Sequence, residues 1–139
     1  LELYGVIKNV LAILMGSISS KYRGDSTNAY YLTKVYNFAK DLVTKLGGES
    51  KTATCYGALG DILLTCNSKT SRNYSYGVLL YTNKEEADVY KKHYTVEGSI
   101  AINSLTKLLE KNNQTSEFLE KLTDYFNGKV SLDDVLELF

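Results

Sequence analysis

Between Glu2 and Lys21 the chain carries one charge, Lys8, in a run otherwise dominated by Leu3, Val6, Ile7, Val10, Leu11, Ile13, Leu14, Met15 and Ile18. A helix over residues 1–20 would be apolar on nearly every side, and such a helix belongs at the centre of a fold. The rest of the chain must then pack around it. It is a poor membrane span, because the apolar run 3–18 is a few residues short and holds Lys8 and Asn9 in its middle. It also lacks the basic start and small-residue cleavage site of a secretory signal. The chain enters this helix directly from Leu1, which suggests a piece of a longer protein.

Lys8 has two readings. The bland one is a lysine whose stem lies along apolar surface while its head reaches water. The sharper one is a lysine paired with a carboxylate and used for chemistry. A matching orphan exists. Asp61 is the only charge between Lys51 and Lys69, and it stands among Leu59, Ile62, Leu63 and Leu64. That setting predicts a buried aspartate, and a buried carboxylate is costly unless a cation meets it.

Helical periodicity accounts for the remaining chain. Asp25 or Ser26 is expected to cap a helix reaching about residue 46, with Leu32, Val35, Ala39, Leu42, Val43 and Leu46 on one face and Gly47-Gly48 ending it. A short turn over 49–56 follows, and Gly57 and Gly60 bracket the entry to the Asp61 helix. Ser71 is a natural N-cap. Arg72 and Asn73 then fall in the first turn of a helix running through Leu80, where the dipole does not favour a cation unless an anion is bound. Asn83 with Glu86 opens a helix to about residue 92, and an amphipathic helix covers 95–111 until Asn112-Asn113 breaks it. Phe118, Leu119, Leu122, Tyr125 and Phe126 mark the next helix, stopped by Asn127-Gly128, and Ser131 with Asp134 starts the last. No stretch alternates with period two between hairpin turns, so the fold class is all-α.

At 139 residues the chain is one domain. Its 16 basic and 16 acidic residues balance, which argues against an extended footprint for nucleic acid or an anionic membrane and leaves room for a local anion site. Cys55 and Cys66 fit no metal or redox spacing and read as two buried thiols in a reducing cytoplasm, with no metal site. His93, the only histidine, has no catalytic companion at suggestive spacing and reads as structural or exposed. The residues alone leave two classes open: an enzyme domain built on Lys8, Asp61 and Arg72, or a helical interaction module whose stray charges are incidental.

Four blocks carry a resemblance: Gly5-Val6-Ile7-Lys8-Asn9-Val10-Leu11-Ala12, Gly57-Ala58-Leu59-Gly60-Asp61-Ile62-Leu63-Leu64-Thr65-Cys66, Ser71-Arg72-Asn73, and Val96-Glu97-Gly98. In order and approximate spacing they resemble the NAD(P)-dependent glycerol-3-phosphate dehydrogenases of bacterial type. The likeness covers essentially the whole chain and only that family's C-terminal substrate domain, an all-helical domain of the 6-phosphogluconate dehydrogenase C-terminal type.

The resemblance implies reversible NAD(P)H-dependent reduction of dihydroxyacetone phosphate to sn-glycerol 3-phosphate, a cytoplasmic reaction feeding phospholipid synthesis. It implies Lys8 as catalytic acid/base and Asp61 as the residue that orients Lys8 and contacts substrate. Asn9, Thr65, Ser71, Arg72 and Asn73 would line the substrate site, with Arg72 suited to phosphate by its planar, bidentate donors. Arg72, Thr95 and Glu97 match positions that also touch the cofactor, and Thr95 stands where the family usually has Val. Tyr74 and Ser75 replace basic residues common after the S-R-N run. A glycine-rich G-x-G-x-x-G turn is absent. The expectation is therefore a nucleotide-binding domain outside this chain, an inactive fragment by itself, and an assembly open to homodimerisation. A hydroxy-acid dehydrogenase with a similar helical domain is the alternative inside the superfamily, and the S-R-N run favours the phosphate substrate.

Overall fold

A computed structural model describes residues 2–46, 61–62, 64, 66 and 68–139. The expected Gly47-Gly48 stop, the 49–56 turn, Cys55, Gly57, Gly60 and Thr65 lie outside the described residues. Seven helices follow one another: α1 Glu2–Lys21, α2 Asp25–Lys45, α3 Arg72–Thr82, α4 Lys84–His93, α5 Glu97–Lys111, α6 Glu117–Phe126 and α7 Leu132–Leu136. Asp61, Ile62, Leu64 and Cys66 are also helical, and no strand occurs among the described residues.

Helix α1 is the central one, as its all-round apolar pattern requires. Every residue from Val10 to Ile18 is buried. Helices α2, α3 and α5 all pack against it, and α6 joins α5 and α7. The approach of α1 to α3 is unusually close and depends on one glycine from each helix. A Cβ on Gly16 would strike the Tyr74 carbonyl, and a Cβ on Gly77 would strike the Ile13 carbonyl. Backbone on both sides leaves no flexible group to give way. In the same crossing the buried Ser17 Oγ donates to the Gly77 carbonyl at 2.7 Å, and Tyr125 Oη of α6 donates to Ser17 Oγ at 2.9 Å. This chain of hydrogen bonds satisfies the polar groups of the buried crossing.

Local sequence signals set most helix ends. Ser71 Oγ accepts from the Tyr74 amide, Ser131 and Asp134 form a reciprocal capping box, and Asn113 adopts a positive φ of 57° just beyond α5. Asn83 Oδ1 accepts from the Glu86 amide, while its own backbone N–H closes α3 on Leu79. One expected cap is corrected. Helix α2 is preceded by Gly24 rather than capped by Asp25 or Ser26. Asn28, one turn inside, donates through Nδ2 to the carbonyls of Tyr22 and Gly24 and organises that corner.

Candidate active site

The first half of α1 brings Lys8 and Asn9 to the surface on the edge of its apolar face. Lys8 Nζ donates to Asp61 Oδ2 at 3.1 Å, which joins the two orphan charges of the sequence. Lys8 is partly covered, with 23% of its side chain exposed, but Asp61 is 61% exposed. The expectation of a buried aspartate is therefore wrong, and helix geometry gives the reason. Ile62 and Cys66, four residues apart, are buried on one face, whereas Asp61 and Leu64, three apart, lie on the opposite, exposed face. The apolar neighbours in sequence are not neighbours in space.

Asn9 lies beside Lys8 in sequence and reaches a different element. Its Nδ2 donates to Glu97 Oε2 at 3.0 Å, at the start of α5. The next residue, Gly98, packs against the Asn9 carbonyl, which a Cβ at that position would meet at 2.5 Å. The Gly98 amide in turn donates to Asn73 Oδ1 at 2.9 Å, in the first turn of α3. Three elements are thus tied together: α1 through Asn9, α5 through Glu97 and Gly98, and α3 through Asn73. Glu97 suits its place in the first turn of α5 by the helix dipole.

Arg72 immediately precedes Asn73 and opens α3. It makes no ion pair among the described residues. Its guanidinium lies over the ring of Tyr94, 5.3 Å from the centroid. A cation held over a ring face in this way keeps N–H donors for an acceptor. Tyr94 precedes Thr95, which is exposed and edges a depression of ≈ 480 Å³ together with Tyr94, Val96 and Ser99.

The expected site residues divide into groups. Lys8 with Asp61, and Asn9 with Glu97, are paired, whereas Arg72 is tied to the Asn9–Glu97 corner only through its neighbour Asn73 and makes no ion pair with Asp61. Ser71 and Asn73 each spend an oxygen on the scaffold, as N-cap and as anchor of the Gly98 amide. The Ser71 hydroxyl hydrogen and the Asn73 amide hydrogens remain donors for a ligand. Thr65 lies outside the described residues. Tyr94 was not singled out from the sequence, and its only signal was an aromatic one residue before Thr95. Cys66 is excluded from chemistry: it is buried on the inner face of the Asp61 helix, and burial pushes its thiol up to about 12. His93 is exposed, and no cluster able to hold a metal ion occurs among the described residues. Among the described residues no helix is long and apolar enough to cross a membrane.

The chain has relatives among known proteins. The family described as NAD-dependent glycerol-3-phosphate dehydrogenase C-terminus matches residues 1–137. The glycerol-3-phosphate dehydrogenase (NAD(P)+) of Hyphomonas neptunium is 32% identical over 136 residues, covering 97% of this chain and 40% of that protein. The enzyme of the same name from Paracoccus denitrificans is 29% identical over 136 residues, covering 98% of this chain and 42% of that protein. The crystal structure of glycerol-3-phosphate dehydrogenase (gpsA) from Coxiella burnetii superposes with a TM-score of 0.83 at 28% identity, over 99% of this chain and 43% of that one. This chain spans about two fifths of the length of these relatives. Its fold is an all-α domain of the 6-phosphogluconate dehydrogenase C-terminal type. The match across residues 1–137 places the chain in the family of NAD-dependent glycerol-3-phosphate dehydrogenase C-terminal domains.

Proposed function

We propose that this chain is the substrate half of a dehydrogenase that interconverts dihydroxyacetone phosphate and sn-glycerol 3-phosphate with NADH or NADPH. The observation that carries the reading is the Lys8–Asp61 hydrogen bond at 3.1 Å, beside the Asn9–Glu97 pair and the start of α3. Reduction of a ketone needs a proton for the oxygen as hydride arrives at carbon, and a positioned ammonium both polarises that oxygen and supplies the proton. Asp61 holds the Lys8 ammonium by accepting one of its three hydrogens, leaving two to face substrate. Arg72, its guanidinium over the Tyr94 ring, takes the phosphate together with the amides at the start of α3. Asn9, Thr65, Ser71 and Asn73 complete the substrate contacts.

The nicotinamide cofactor, when bound, supplies the hydride. Arg72, Thr95 and Glu97 would meet its edge, and a cation with no ion pair among the described residues, set over Tyr94 next to exposed Thr95 in the chain, suits that contact. The described residues offer an edge and no enclosing cleft, so a separate nucleotide-binding domain supplies the other wall. Leu64 supports that arrangement: it is 70% exposed on the same helical face as Asp61, an apolar group fit to be covered by a partner domain. A free buried Cys66 thiol suits a cytoplasmic setting. The test is NADH and NADPH consumption by the full-length protein with dihydroxyacetone phosphate. The expected result is turnover that requires the phosphate group, and absence of turnover with both cofactors overturns the reading.

A further inference from the structure

We propose that Tyr94 is a positioning residue for substrate recognition: its ring keeps the Arg72 guanidinium in place for the phosphate group. The inference rests on the reading of Arg72 as the phosphate clamp and names the group that holds the clamp. Arg72 has little else to hold it. It is exposed and stands in the first turn of α3, where the helix dipole disfavours a cation. Its side chain makes no hydrogen bond and no ion pair among the described residues. The one ring that its guanidinium meets there is Tyr94, with the centroid 5.3 Å away, inside cation–π range. A free arginine side chain carries rotamer entropy that a ligand must remove on binding, and a guanidinium already drawn to a ring face has lost part of it beforehand.

Tyr94 is itself held from two directions. Its backbone N–H donates to the Tyr90 carbonyl at 2.9 Å and closes α4. Its ring packs on that of Tyr90, with centroids 4.8 Å apart, and Tyr90 is partly buried against the core. Support therefore runs from the core through Tyr90 and Tyr94 to Arg72. Tyr94 also begins the link 94–96 between α4 and α5. Val96 ends that link as a buried N-cap residue of α5, and the next residue, Glu97, accepts from Asn9 of α1. One short segment thus places a ring at Arg72 and a carboxylate at the helix that carries Lys8. Core packing does not demand this ring, because Tyr94 is 48% exposed. A large aromatic left in solvent, with its face against a cation that has no other partner among the described residues, is placed to serve that cation.

Steady-state kinetics of the full-length protein test the proposal, with dihydroxyacetone phosphate as substrate and dihydroxyacetone as the analogue without phosphate. Tyr94→Leu keeps an apolar side chain and removes the ring face. It should raise KM for dihydroxyacetone phosphate about two- to fivefold, the worth of an exposed cation–π contact, with kcat held within about twofold. Tyr94→Phe keeps the face, loses only the hydroxyl, and should restore the wild-type KM. In an Arg72→Ala background Tyr94→Leu should add no further loss, because the two residues act as one unit. Dihydroxyacetone should be used equally well by wild type and Tyr94→Leu. A wild-type KM in Tyr94→Leu, an equal defect in Tyr94→Phe, an undiminished loss in the Arg72→Ala background, an equal loss on dihydroxyacetone, or unfolding of Tyr94→Leu each overturns the positioning role alone. Absence of turnover in the wild-type protein overturns the dehydrogenase reading, and this inference with it.

Discussion

Helix α1 meets an aspartate twice, once within its first half and once in its last turn. Lys8 pairs with Asp61, and Lys21 pairs with Asp133 of α7. The two pairs are nearly identical in exposure, 23% and 61% at one end against 21% and 63% at the other. Ion pairing and burial therefore do not mark out a reactive lysine. The surroundings do. Lys21 stands in the last turn of α1, where a cation complements the dipole, and its ammonium lies 5.4 Å from the centre of the Tyr22 ring. A structural role accounts for everything about it. Lys8 interrupts an apolar run in mid-helix, gains nothing from the dipole, and adjoins the Asn9–Glu97 tie to α5.

The largest difference between the two ends should appear in turnover. In the full-length protein Lys8→Met should lower kcat by on the order of 10²–10⁴-fold, as loss of a general acid does, with folding retained. Lys21→Met should leave kcat unchanged, and an equal loss at both positions would break the comparison. At the Lys8 end, Arg72→Ala should reduce kcat/KM for the phosphorylated substrate by roughly ten- to a hundredfold, the worth of a charge-assisted hydrogen bond. A non-phosphorylated analogue should show no comparable loss.

Between the two ends lies the α1–α3 crossing, which both depend on. Gly77→Ala forces a Cβ against the Ile13 carbonyl and should cost about 1–3 kcal/mol in urea unfolding, the usual cost of overpacking. Wild-type stability would show that the helices separate freely. Tyr125→Phe removes the hydrogen bond to Ser17 at the same crossing and should cost about 1 kcal/mol near neutral pH.

The Tyr125 substitution also has a pH signature. Burial, opposed by the Ser17 hydrogen bond and aided by Tyr81 and Tyr76, pushes the Tyr125 phenol from 10.0 up to about 12. A group raised in the folded state contributes stability that is complete below its unfolded value and lost as pH rises through the folded one. The wild-type chain should therefore lose stability between about pH 10 and 12, a loss that Tyr125→Phe should flatten. Cys66, pushed by burial from 9.0 to about 12, contributes with the same sign and begins lower, so a residual decline from about pH 9 should persist in the variant. The smallest effect returns to the far end of α1, where Lys21→Met should change stability by only about 0.2–1 kcal/mol, as a half-exposed ion pair does.

By itself the sequence determined what depends on near neighbours. The central place of α1 followed from its all-round apolar surface. The Ser71 and Ser131 caps, the break at Asn113 and the buried face of α6 followed from spacing and turn chemistry, because each rests on contacts within one or two helical turns. Lys8, Asp61 and Arg72 stood out as charges that interrupt apolar runs or open a helix, whereas Glu97 was legible only through the family resemblance. Tertiary structure alone decided how those residues combine. Asn9 meets Glu97 across 88 positions, and Gly98 reaches Asn73 across 25, through packing that no local pattern encodes. Tyr94 came under Arg72 only when α3 and the start of α5 converged. Asp61 looked buried from its apolar neighbours, yet the helix turned Ile62 and Cys66 inward and left the carboxylate outside. Composition along the chain reports average polarity, whereas the three-dimensional face a residue occupies fixes whether a charge is hidden, paired or free to react.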